Sequence, residues 1–155
     1  MNEGKKSIKL LMAEDDPEDQ MLVKDAFEEA HLFNKLDIVD NGEELMDYLY
    51  CRGKFSKVSA PDLILLDLNM PKKDGREAIK EIKTDPNLRQ IPIIVLTTSR
   101  ADEDILRSYE LGVSSYIAKP VTFAKMVEMI KILGRYWFEI VELPAQKGRA
   151  IYHEL

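Results

Sequence analysis

The residues of this sequence that can do chemistry together stand at the ends of apolar runs. Glu14 and Asp15 follow residues 8–13, and Asp67 follows Leu63-Ile64-Leu65-Leu66. Thr97 closes the run 92–97, and Lys119 follows Ser115-Tyr116-Ile117-Ala118. Three carboxylates brought to one edge repel each other unless a cation sits between them. With oxygen donors alone and neither His nor Cys nearby, Mg²⁺ is favoured over zinc or copper. The hydroxyl of Thr97 and the ammonium of Lys119 are donors suited to an oxyanion. Together these types describe an aspartate that becomes phosphorylated. Asp67 attacks in line, while Mg²⁺, Lys119 and Thr97 neutralise the phosphoryl oxygens in the transition state. Taken alone, Asp67 has a second role open to it, as the Asx cap of the helix that follows.

For the set to meet, successive strands must deliver their ends to one side. Residues 8–13 read as a first strand. Asp16-Pro17-Glu18-Asp19 then starts a helix, with Asp16 as cap, proline at the first helical position and acids in the first turn. Leu22, Val23, Ala26, Phe27 and Ala30 give that helix one apolar face. Residues 36–39 suit a short second strand, Asp40-Asn41-Gly42 a turn, and a second helix with Leu45, Met46 and Leu49 inward ends near Cys51-Arg52-Gly53. A longer loop, with room for a helical turn, leads to the third strand. Pro71 and Lys72-Lys73-Asp74-Gly75 stop that strand just beyond Asp67, and Ala78, Ile79 and Ile82 mark helix three. Residues 92–97 form strand four, β-branched, with its proline at the entry. Helix four runs from about Ala101 to Leu111, with Ile105, Leu106 and Tyr109 on one face and Gly112 as C-cap. Residues 115–118 are a fifth strand. The last helix, from near Thr122, carries Met126, Val127, Ile130, Leu133 and Trp137. Strict strand–helix alternation predicts an α/β protein with a parallel sheet covered on both faces. The expected architecture is a single flavodoxin-like doubly wound (βα)5 domain with its five strands in the order 2-1-3-4-5. Strands 1 and 3 are neighbours in that order, which brings Glu14, Asp15 and Asp67 to one edge.

Composition narrows the classes. The 155 residues suggest one domain, and 45% hydrophobic content supports an ordinary core. The net charge of −6 argues against nucleic acid or a membrane surface as partner. No apolar run resembles a signal peptide or approaches a membrane span, so a cytoplasmic protein is expected. The single cysteine, Cys51, allows no internal disulfide and reads as a small half-buried hydrophobe. His31 and His153 belong to no metal set and read as surface residues. The residues after Phe138 are too few for an output domain such as a winged helix. Ile140, Val141, Leu143 and Pro144 suit packing on the body or on another subunit, and the last residues are expected to be mobile.

Taken in order and spacing, Glu14-Asp15, Asp67, Thr97 and Lys119-Pro120 resemble the receiver domain of two-component response regulators. The run Asp67-Leu68-Asn69-Met70-Pro71-Lys72-Lys73-Asp74-Gly75 is similar to that family's phosphoacceptor loop. The resemblance covers residues 7–138, leaving 139–155 as a tail. It implies Asp67 as phosphoacceptor, Asp15 and Asp67 as direct Mg²⁺ ligands with the backbone carbonyl of Asn69, and Glu14 as the acid that acts through water. Asp16 falls to the helix cap in this register. Lys119 is implied as the phosphate-binding lysine, followed by a peptide bond that is cis in the family. Thr97 and Tyr116 are implied as a switch pair that moves the face made by helix four, strand five and helix five. Tyr116 alone would read as an aromatic packed on helix four. The long loop after helix two, the run Val95-Leu96-Thr97-Thr98-Ser99, and Tyr136-Trp137 with Leu143-Pro144 resemble the stand-alone regulators of phytochrome-type histidine kinases, for which a homodimer is also open. Trp137 equally suits ordinary core at a helix end.

The implied function is that of a single-domain response regulator. It takes a phosphoryl group from a histidine kinase onto Asp67, and is not an enzyme beyond its own phosphotransfer and slow dephosphorylation. The alternative is a protein-binding module of the same fold acting without phosphorylation. A haloacid-dehalogenase-like phosphatase needs a second aspartate two residues after the nucleophile, where this chain has Asn69. A flavodoxin needs a neutral phosphate loop after strand one, where Glu14-Asp15-Asp16 would repel phosphate. Asn69 and Ser99, both small and polar, occupy positions through which the family tunes phosphoryl lifetime.

Overall fold

A computed structural model describes residues 8–144. Strand β1 (Leu10–Ala13) leads to α1 (Pro17–Glu29), β2 (Leu36–Val39) to α2 (Gly42–Leu49), and β3 (Leu63–Leu66) to α3 (Gly75–Thr84). Strand β4 (Ile93–Thr97) leads to α4 (Asp102–Leu111), and β5 (Ser115–Ala118) to α5 (Phe123–Gly134). Local chemistry explains most of these boundaries. Asp16 caps α1 by accepting from the Glu18 N–H at 2.9 Å, with Pro17 in the first turn. Asn41, Asp74 and Thr122 cap α2, α3 and α5 in the same way. Gly112 ends α4 in the left-handed region, at φ 107°, where glycine carries no Cβ penalty.

The strands form one parallel sheet in the order β2-β1-β3-β4-β5. Both faces are covered, so the central strands read as unbroken apolar runs rather than alternating ones. Ile64, Leu66, Ile93 and Val95 pack with Leu45, Leu49, Ile79 and Ile82 beneath α2 and α3. Leu63, Leu65, Ile94 and Leu96 pack with Val23, Phe27, Val127 and Ile130 beneath α1 and α5. The register puts Ala13, Leu66, Val95 and Tyr116 in one row across four strands. The residues immediately after the first two of these are Glu14 and Asp67. Thr97 lies two positions beyond Val95, so Thr97 and Tyr116 project from the same face of the sheet.

Two boundaries differ from expectation. Helix α2 closes at Leu49, one turn early, because Tyr50 and Cys51 leave the helix and Cys51 takes a positive φ of 55°. The loop beyond carries a 3₁₀ turn, Gly53–Phe55, for which the sequence left room. The last helix widens into a π-helical turn over Arg135–Ile140. Trp137 there is half-buried against the α1–α5 core, the packing role left open for it. Ile140 is 60% exposed, Leu143 is half-buried, and His31 is exposed. His153 and the end of the tail lie outside the described residues. Cys51 is half-buried, as expected. The Lys119–Pro120 bond is trans, like every peptide bond among the described residues, and not cis as the resemblance implied. The trans form is the lower of the two for an X–Pro amide.

The loop after β3 is pinned by two close approaches. A Cβ on Gly75 would collide with the Asp67 carbonyl oxygen and lie 2.7 Å from Leu68 Cα. A Cβ on Gly42 would collide with the carbonyl of Lys73. The Gly75 N–H donates to the Leu68 carbonyl at 2.9 Å, closing the turn. Gly75→Ala is therefore expected to force this backbone apart and lower stability by about 1–3 kcal/mol, read from urea unfolding.

Candidate functional site

Glu14, Asp67 and Lys119 each sit one step past a strand, Thr97 closes β4, and their backbone still follows the ladder. The Glu14 N–H donates to the Val39 carbonyl at 3.0 Å, Asp67 N–H to Ala13 at 3.1 Å, and Lys119 N–H to Thr97 at 2.9 Å. These residues are held by the sheet rather than by a loop, which limits how far their side chains can wander. Glu14 is 1% exposed, Asp67 7% and Thr97 0%.

The carboxylate oxygens of Glu14, Asp15 and Asp67 lie within 4.8 Å of one another. Asp15 is the exposed member of the three, at the mouth of the site. Thr97 Oγ1 donates to Asp67 Oδ1 at 2.7 Å, and the Asn69 N–H donates to the same oxygen at 3.2 Å. Lys119 Nζ donates to Asp67 Oδ2 at 3.0 Å and to Glu14 Oε1 at 2.5 Å. Lys119 also reaches Asp19 Oδ2 at 2.8 Å. Both oxygens of Asp67 thus face hydrogen-bond donors. The other Glu14 oxygen, Oε2, accepts from the Asp16 N–H at 3.1 Å.

Burial pushes the Glu14 carboxyl up to about 7, helped by the charge of Asp67 and opposed by hydrogen bonds from Lys119 and Asp16. For Lys119, burial works to lower the ammonium pKa. Hydrogen bonds to Asp19 and Glu14, with the charges of Glu14 and Asp67, more than reverse it and hold the group well above its usual range. One ammonium among this many carboxylates leaves the pocket negative. Two buried acids and an exposed one, all offering oxygen, form a donor set that fits a hard divalent cation.

Glu14, Asp15, Asp67, Thr97 and Lys119 thus lie together. Asn69 is exposed, and its backbone N–H rather than its side chain faces Asp67. Tyr116 is half-buried, with its hydroxyl donating to the Ser99 carbonyl at 3.0 Å, on the face it shares with Thr97. Sequence reasoning placed Asp19 only as a first-turn acid of α1. Its grip on Lys119 was missed, although a cap at Asp16 already fixes the third helical position over this end of the sheet. The ion pair of Arg76 with Asp104 was missed as well, because nothing in the spacing links α3 to α4.

Residues 10–131 match the response regulator receiver domain. The chain belongs to that family. It stands among the response regulators of two-component signalling, and the expected fold and strand order are those observed. Response regulator Rcp1 of Synechocystis sp. is 40% identical over 136 residues, 88% of this chain and 92% of Rcp1. The crystal structure of the phosphorylated cyanobacterial phytochrome response regulator RcpA aligns with a TM-score of 0.85 at 39% identity, covering 90% of this chain and 100% of RcpA. The Mn²⁺-bound form of Rcp1 aligns with a TM-score of 0.82 at 39% identity, over 89% of this chain and 99% of Rcp1. The likeness to stand-alone phytochrome response regulators thus extends over nearly the full length of those proteins. No helix among the described residues is long and apolar enough to cross a membrane.

The Glu14 shift sets a direction for pH effects. A carboxyl raised from 4.5 to about 7 on folding binds more protons folded than unfolded across that interval. Stability from this group is therefore present at low pH and is lost as pH rises through about 7. Metal-free Glu14→Gln protein is expected to lose that part of the pH dependence, measured by urea unfolding across the interval.

Proposed function

We propose that this protein is a single-domain response regulator that accepts a phosphoryl group on Asp67 from the phosphohistidine of a sensor histidine kinase. The observation that carries the reading is the pairing of Thr97 and Lys119 on opposite oxygens of Asp67, within a cluster of acids able to hold a cation. An Asp67 oxygen bonds to phosphorus as the phosphorus–nitrogen bond to the histidine breaks. The electron pair leaves with the imidazole nitrogen. A carboxylate needs no general base for this attack. Asp15, Asp67 and the carbonyl of Asn69, with Glu14 acting through water, would hold Mg²⁺, which would supply positive charge for the phosphoryl oxygens.

Lys119 releases an acid and turns its ammonium to the incoming phosphoryl group, while Thr97 donates its hydroxyl to it. Thr97 and Tyr116 then act as the switch, biasing the face of α4, β5 and α5. Their common side of the sheet supports that pairing. The receiver unit is residues 7–138, which contains the matched segment. The likeness to Rcp1 and to the phytochrome response regulator RcpA supports a phytochrome-type kinase as donor.

Acetyl phosphate with Mg²⁺ is expected to add one phosphoryl mass to the wild-type protein and none to Asp67→Asn, read by intact-protein mass spectrometry. Equal labelling of the two, or none of either, would leave the non-phosphorylated binding module as the better reading. Lys119→Ala should slow labelling by roughly a hundredfold, the scale of losing one preorganised donor. Phosphotransfer profiling against a set of histidine kinases tests the donor. Preference for a phytochrome-type kinase is expected, and indifference among kinases would remove that assignment.

A further inference from the structure

Beyond Tyr116 a line of hydrogen bonds continues that the switch pair does not contain. The Tyr116 hydroxyl donates to the Ser99 carbonyl, and the Ser99 hydroxyl donates to Asp104 Oδ2 at 2.7 Å. Asp104 also receives two prongs of the Arg76 guanidinium, Nε on Oδ1 at 2.8 Å and Nη2 on Oδ2 at 2.8 Å. The third nitrogen, Nη1, lies 3.1 Å from each oxygen of Asp74. Asp74 is the N-cap of α3, at the end of the loop that Asp67 begins. A planar fork matched to a carboxylate is among the strongest and most directional of protein hydrogen-bond pairs. It holds the Asp104 carboxyl down at about 2, through Arg76 first and Ser99 second.

Helix α4 has particular need of such a tie. Helices α1, α2, α3 and α5 each begin with a side-chain cap, whereas the cap position of α4, Ala101, offers none. Its first turn carries Asp102, Glu103 and Asp104. Acids there suit the helix dipole, yet three adjacent like charges also repel. Arg76 does not replace the cap, but from α3 it neutralises one of these acids and ties the first turn of α4 down. Helix α4 in turn governs the surroundings of Tyr116, because the Tyr116 N–H donates to the hydroxyl of Tyr109 at 3.1 Å. Movement of α4 displaces both the carbonyl that receives the Tyr116 hydroxyl and the hydroxyl that covers its amide.

Resting on the phosphoacceptor reading of Asp67, we propose that Arg76 is a positioning residue of the switch. By clamping Asp104 it fixes the Ser99 carbonyl where the inward Tyr116 hydroxyl lands. The clamp joins the loop that carries Asp67 to the face of α4 and β5 by a route separate from Thr97. Because coupling between sites is reciprocal, loosening the clamp lowers the inward population of Tyr116 and weakens the hold on a phosphoryl group at Asp67.

The test uses the full chain labelled with fluorotyrosine, with the Tyr116 signal assigned through Tyr116→Phe. Fluorine NMR is recorded without ligand and during titration with beryllofluoride and Mg²⁺, a non-covalent phosphoryl analogue. Arg76→Met and Asp104→Asn are each expected to move the ligand-free Tyr116 signal in the same direction. Each should raise the half-saturating beryllofluoride concentration about tenfold, within the usual range of allosteric coupling. Arg76→Lys, which keeps the charge but not the planar fork, should move both readouts less than Arg76→Met does. An unmoved Tyr116 signal in the single variants, even with lowered thermal stability, marks an ordinary structural ion pair and overturns the inference. So does an effect from one partner without the other. Wild-type protein that takes no phosphoryl group from acetyl phosphate overturns the phosphoacceptor reading instead, and the ligand-free Tyr116 signal still reports on the clamp.

Discussion

One ammonium group is asked to compensate a whole edge of acids. Lys119 Nζ touches Glu14, Asp19 and Asp67, and Asp15 stands beside them. Two unit charges at about 4 Å and an effective dielectric near 20 interact by roughly 4 kcal/mol, so repulsion within such a set is large on the scale of protein stability. The protein responds locally by letting Glu14 hold its proton to higher pH. It retains the acids all the same, which is sensible only where further positive charge and an anionic group are handled together. The charge imbalance is thus a standing repulsion that a bound cation would relieve.

Rigidity is distributed to match. The acids and the lysine extend a parallel ladder whose strands are buried on both faces, and glycines at 42 and 75 let neighbouring backbone close on the loop after Asp67. Helix α4, by contrast, begins without a cap and leans on a side chain from α3. An element that starts weakly and is held by one polar tie is suited to having two positions. Under the proposed function the firm end of the sheet would perform the transfer, and the loosely started helix would have the freedom to report it.

Much of this was legible from the order of residues. Buried runs such as Leu63-Ile64-Leu65-Leu66 ending in Asp67 fix strand ends, and the alternation of strands with helices fixes which ends share an edge. Glu14, Asp15, Thr97 and Lys119 were found because each is the residue at or just past a strand, where placement depends on register alone. Asp19 and Asp104 were not, since their meetings depend on how a helix is rotated and how far a side chain reaches. The early close of α2 and the π-helical turn after α5 escaped for a related reason. Neither Tyr50-Cys51 nor Arg135 carries a breaker, and tertiary packing decided both.

The lysine and its partners are far apart along the chain. Lys119 lies 105 residues from Glu14, 100 from Asp19 and 52 from Asp67. During synthesis the acids therefore emerge long before their counter-charge, and they remain uncompensated until the fifth strand docks at the sheet edge. Loop closure over such separations is slow compared with local helix formation. A chain ending before β5 would therefore hold Glu14, Asp19 and Asp67 without the ammonium that compensates them.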